Sequence, residues 1–169
     1  AVTVPFFGAD VTIEYELTRS IRTVTNEKRL KIGILKTDAP LFGGRQGDWK
    51  IINELRQSYD VEEVSPDMPI DDDAYDVLIA VLPSSLTDPQ MDNFVRYVTT
   101  GEPVLIFADP YPLTMPASAP RMTKPRPQGG MMGMQMPPPT PKADAGKATR
   151  LINALDIAWN HEEVVWDSF

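Results

Sequence analysis

The sequence predicts an α/β fold, a three-layer sandwich with a mostly parallel central sheet, from three observations. Short apolar runs recur at 31–36 (KIGILK), 76–83 (DVLIAVLP) and 103–108 (PVLIFA). Continuous runs of this length suit strands that are covered on both faces. Segments with helical apolar spacing lie between them. From Leu30 to Val64 the order is apolar run, glycine-rich loop, amphipathic segment and second run, the order of a βαβ unit.

Taken in order, residues 1–9 (AVTVPFFGA) form an apolar, extended lead-in. Asp10 suits an N-cap, and Ile13, Leu17, Ile21 and Val24 share one face, predicting a helix over 11–26 packed on the body. After the strand at 31–36, Asp48 is expected to cap a helix ending near Ser58. Its buried stripe would be Ile51, Ile52, Leu55 and Tyr59. Residues 60–64 are expected as the second strand and 65–75, with two prolines and an acidic run, as a solvated loop. The run at 76–83 carries the strongest buried-strand pattern and should be central. Thr87-Asp88-Pro89-Gln90 is a capping-box pattern ahead of Met91, Phe94, Val95 and Val98, and Gly101 can close that helix in the left-handed conformation.

The stretch 110–142 differs in kind. It holds ten of the 17 prolines, six of the eight methionines, four basic residues and no acidic one. Its composition predicts a flexible Pro/Met-rich insertion within a single domain spanning 1–169. Removing its +4 from the net charge of −8 leaves −12 on the rest, so contact between insertion and body is electrostatically favoured and should weaken with salt. Helical spacing returns at Ala148, Leu151, Ile152, Leu155 and Trp159, and 164–166 could form a last short strand.

Composition narrows the function classes. The acidic balance, with a pI near 4.6, argues against a nucleic-acid partner, because such binding rests on cations that neutralise phosphates. Without cysteine there is no disulfide framework, thiolate metal site or cysteine nucleophile. No apolar run approaches the ~18 residues of a membrane span. The start at Ala1, without an initiator Met or a leader, suggests a piece of a longer protein.

Candidate site residues cluster where strands should end. Gly43, Gly44, Arg45 and Gly47 precede a helix, where backbone N–H groups can cradle a phosphate, yet they match neither G-x-G-x-x-G nor G-x-x-x-x-G-K-[ST]. Asp38 and Asp109 follow predicted strands, on the edge where open α/β sheets bind ligands, and Ser84 and Ser85 follow the central strand. The turn there is no G-x-S-x-G elbow, and His161 is the only histidine, so a serine hydrolase ranks third. The methionines at 131–136 could offer thioethers to Cu(I), but the simpler reading is an unstructured tract. The residues carry no catalytic constellation, metal cluster or cofactor motif.

Several stretches together resemble the GldG-like family, the auxiliary component of ABC-type transport systems associated with gliding motility. They are PFF at 5–7, IEYELTRSI at 13–21, KIGIL at 31–35, GDWKIINELRQSYDV at 47–61, the long run at 75–110 and RLINALDIAWN at 150–160. Where that family usually has Gly-Gly after the helix, this chain has Gly101-Glu102. The resemblance implies a non-enzymatic extracytoplasmic (periplasmic) domain of a membrane-anchored protein, with spans outside this chain, working beside an ABC permease and ATPase. It leaves room for a homo-oligomer. The alternative is a flavodoxin-like or Rossmann-like domain that binds a small ligand or nucleotide at the strand-end loops.

Overall fold

A computed structural model of the chain describes residues 13–14, 17–18, 20–21, 28–44, 47–124, 140–160 and 163. The apolar runs become parallel strands: β1 (Lys31–Leu35), β2 (Asp60–Val64), β3 (Val77–Val81) and β4 (Val104–Phe107), in the order β2-β1-β3-β4. Helix α1 (Lys50–Arg56) joins β1 to β2, α2 (Asp88–Thr99) joins β3 to β4, and α3 (Thr149–Ala154) follows β4. No described helix is long and apolar enough to cross a membrane.

Alternation along each strand sends side chains to two cores. On one face Leu35, Leu78 and Ala80 meet Met91, Phe94 and Tyr97 of α2 and Leu151 of α3, with Val104 and Ile106 packed alongside. Burial pushes the Tyr97 phenol above its usual range, and its hydroxyl finds no partner among the described residues. On the other face Ile32, Ile34 and Leu82 meet Ile52 of α1 together with Ala39 and Leu41. The capping box forms at Thr87 and Gln90, and Gly101, at φ +90°, ends α2 as expected.

Four expectations need correction. Trp49, not Asp48, is the N-cap of α1; the Asp48 carboxylate turns instead to the Gly43 N–H (2.8 Å) and to Arg56. Ile51 is 54% exposed, since the seven-residue helix can bury only Ile52 fully. Among the described strands β4 lies at the sheet edge, and where its apolar run suggested cover on both faces, Leu105 and Phe107 are 46% and 52% exposed. The described residues between 13 and 21 are helical, and Ile13 and Leu17 are 54% and 44% exposed instead of being buried on the body. Val24 and 164–166 lie outside the described residues.

The helix expected from 148 onward is also short. It ends at Ala154, and Asp156 adopts φ +53°, turning the chain so that Leu155 and Trp159 still reach the first core. Arg150 on α3 fastens this corner to α2, binding Asp88, Asp92 and Asp144 together.

Gly33 tests the tightness of the sheet. A Cβ there would lie 2.9 Å from side-chain atoms of Leu78, Tyr75 and Val64. Gly33→Ala should therefore destabilise the fold by about 1–3 kcal/mol through overpacking. Urea unfolding measures this, and an unchanged midpoint would contradict the packing described.

Candidate functional site

In the order β2-β1-β3-β4, the chain leaves β1 toward one edge of the sheet and β3 toward the other. The crevice past the carboxyl ends of these two strands is the topological switch point, where open α/β sheets place ligands. Asp38, Ser84 and Ser85 meet there.

Local bonds fix this corner. The Thr37 hydroxyl donates to the Val81 carbonyl (2.6 Å) and accepts from the Ala39 N–H (3.2 Å), tying the exit of β1 to β3. Leu82 takes a left-handed conformation, φ +53°, while its N–H stays on the Phe107 carbonyl. That bend starts a 3-10 turn at Pro83–Ser85, burying both serines. The Asp38 N–H then donates to the Ser85 hydroxyl at 3.0 Å.

A lysine far away in sequence closes the corner. The Lys124 ammonium donates to Asp38 Oδ1 and to the Ser85 carbonyl, both at 2.9 Å. Both side chains are largely covered, at 20% exposure for Lys124 and 13% for Asp38. The other Asp38 oxygen and the Ser84 hydroxyl are buried without a partner among the described residues. Ser84 also lines a cavity of about 320 Å³ whose walls include Ile106, Leu151, Leu155 and Trp159.

The segment carrying Lys124 is packed rather than loose where it is described. A 3-10 turn at Pro116–Ser118 leads to buried Ser118 and Ala119, whose carbonyls accept from the Lys142 ammonium at 3.1 and 2.8 Å. Burial pushes the Lys142 ammonium below its usual range, opposed by Asp38 and reinforced by Lys124. The Ala143 N–H reaches the Leu86 carbonyl (2.8 Å), and Gly146 lies so close to the Pro120 carbonyl that a Cβ would collide with it. Prolines and short 3-10 turns leave main-chain carbonyls free, and the two lysines use them. Residues 125–139, which contain the methionine tract, lie outside the described residues.

The other sequence candidates stand apart. Gly43 and Gly47 adopt positive φ around a Gly44–Gly47 bridge, and the Gly43 N–H is taken by Asp48, whose carboxyl it holds below the usual range with help from Arg56. A carboxylate thus occupies a donor that a phosphate would need. Arg45 lies outside the described residues. Asp109 is exposed and accepts from the Tyr111 N–H (2.8 Å), a turn of the chain after β4. Among the described residues no group of three or more His, Cys, Asp or Glu could hold a metal ion, and His161 lies outside them. Lys124 and Lys142 escaped the sequence reading. The only signal for them was the basic insertion beside an acidic body.

A family model described as ABC-type uncharacterized transport system matches residues 29–169. The chain belongs to this family. As an auxiliary component of an ABC-type transport system, it places the switch-point corner and both anchoring lysines inside the matched region. Comparison with curated proteins and with solved structures returns no match.

The turn that backs this corner should respond to acid. Burial raises the Asp144 carboxyl, but hydrogen bonds from the Arg150 N–H and guanidinium outweigh it and hold the group below the usual carboxylate range. A lowered folded value gives stability that is present above about pH 4 and is lost as pH falls through the folded value. Urea midpoints taken from pH 5 to pH 2 should fall further for the wild type than for Asp144→Asn. Parallel curves would contradict the assignment.

Proposed function

We propose that the chain is a non-enzymatic, extracytoplasmic interaction module of a membrane-anchored ABC-type auxiliary protein, of the kind associated with gliding motility. Its partners in this reading are the permease and ATPase of the same system, and its membrane spans lie in the parent protein. The family match over 29–169 is the observation that carries the proposal. The chemistry of the corner agrees with it. Asp38 and Ser85 face a lysine of the same chain, and both serines are enclosed, so the groups on the ligand edge are arranged to hold rather than to react.

A second reading, a small-ligand site at the strand-end loops, is favoured by the buried Ser84 hydroxyl beside the apolar cavity. In it Ser84 is the polar contact in the cavity wall, with Asp38 and Ser85 beside it at the strand ends.

The parent protein, tagged and extracted from membranes in mild detergent, should retain the permease and the ATPase on affinity resin. Recovery of the tagged protein alone, under conditions that keep permease and ATPase together, would contradict the first reading. A saturable thermal shift with FMN or ATP would favour the second.

A further inference from the structure

We propose that the Asp38 carboxylate and the Ser85 carbonyl form a recognition site for a primary ammonium group. Lys124 fills it from within the chain, and a lysine side chain of a partner polypeptide can fill it when Lys124 withdraws. This inference does not depend on assembly with a permease, because it concerns the corner itself.

The two halves of the contact have different origins. Both acceptors belong to the sheet body and are held there without help from Lys124. Asp38 is fixed through its own N–H to the Ser85 hydroxyl, its neighbour Thr37 is tied to β3, and Ser85 sits in a turn closed by its N–H to the Leu82 carbonyl at 3.0 Å. The donor arrives 86 positions later, on a segment whose own anchors are Lys142 on the Ser118 and Ala119 carbonyls. A preformed acceptor pair with a tethered donor is the arrangement of a binding site with its ligand attached, and tethering gives that ligand a high effective concentration.

The acceptor chemistry selects the ligand class. One carboxylate oxygen and one main-chain carbonyl, each 2.9 Å from a single nitrogen, suit the compact ammonium, whose donors diverge from one point. A guanidinium is matched instead by two oxygens of one carboxylate, and here the second Asp38 oxygen makes no bond among the described residues. The enclosure of Asp38 matters as well. Lys142 also acts on Asp38 but is bonded to the Ser118 and Ala119 carbonyls, so loss of the Lys124 ammonium removes the cation bonded to this largely covered carboxylate, a place that a free amine can take.

Chemical rescue tests the site. Lys124→Ala removes three methylenes and the ammonium, which n-propylammonium replaces. The variant should lose about 3 °C or more in Tm. Propylammonium at tens of millimolar should restore at least half of the loss in a saturable way. Tetramethylammonium at equal concentration should not, because it has no N–H to donate. The double variant Asp38→Asn/Lys124→Ala should show no difference between the two salts, and the wild type should respond little. If Lys124→Ala is unfolded in plain buffer, the same titration is read as recovery of the far-UV circular dichroism signal. Equal effects of the two salts on Lys124→Ala, or undiminished rescue of the double variant, would overturn the proposal. Nα-acetyl-lysine methylamide then separates the sources: rescue by it places polypeptide lysine in the site, and rescue by propylammonium alone assigns the site to free amines.

Discussion

A parallel sheet sends the carboxyl ends of its strands to one edge, and at the switch point two neighbouring strands diverge and leave polar groups that must still be satisfied. In this chain β1 and β3 end in Thr37, Asp38, Ser84 and Ser85, and most of these groups are withdrawn from water. Buried carbonyls and carboxylates without partners are costly. Much of the structure outside the sheet answers this demand. Thr37 spans to β3, the Ser85 hydroxyl accepts from Asp38, and Lys124 brings a positive charge to the pair. Lys142, the Ala143 contact with Leu86 and the close approach of Gly146 to Pro120 hold the segment that delivers it.

Local strain collects on the same side of the molecule. Leu82, Asp144, Ala145 and Ala148 all adopt positive φ without being glycine, a conformation that costs about 1–3 kcal/mol at each residue. Three of the four lie between 143 and 148, where the chain bends from the Leu86 contact into α3. Compensation is visible in Arg150, which draws Asp144 together with Asp88 and Asp92 of α2, and in Ala143, Ala148 and Leu151, which are buried in the first core. The bend is thus held by packing and charge on both sides, and within it Gly146 supplies a position where a side chain would collide with the Pro120 backbone.

The parts of the fold legible in the sequence were those set by local pattern. β1, β2 and β3 follow from short apolar or alternating runs, and α2 follows from a capping box at one end and Gly101 at the other. Legibility failed where a second segment decides. Asp48 has the chemistry of an N-cap, but Gly43 and Arg56 compete for its carboxylate. The run at 103–108 is apolar enough for a central strand, yet its place at the edge depends on what lies beside it. Asp38, Ser84 and Ser85 could be named from strand ends alone, because the switch-point rule needs only strand order. Lys124 could not, since no local periodicity encodes a partner 86 positions away.

The central claim is that the chain covers its own ligand edge through contacts that need the Lys124 ammonium. Backbone amides at the seam report on it directly: the Asp38 N–H on the Ser85 hydroxyl and the Ala143 N–H on the Leu86 carbonyl. Residue-resolved hydrogen exchange at neutral pH should show both amides protected by about a hundredfold or more over free peptide, as for closed structure. In Lys124→Met the Ala143 amide should lose most of that protection while the Asp38 amide and the amides within β1 and β3 keep theirs. Rapid exchange at both amides in the wild type would contradict the account.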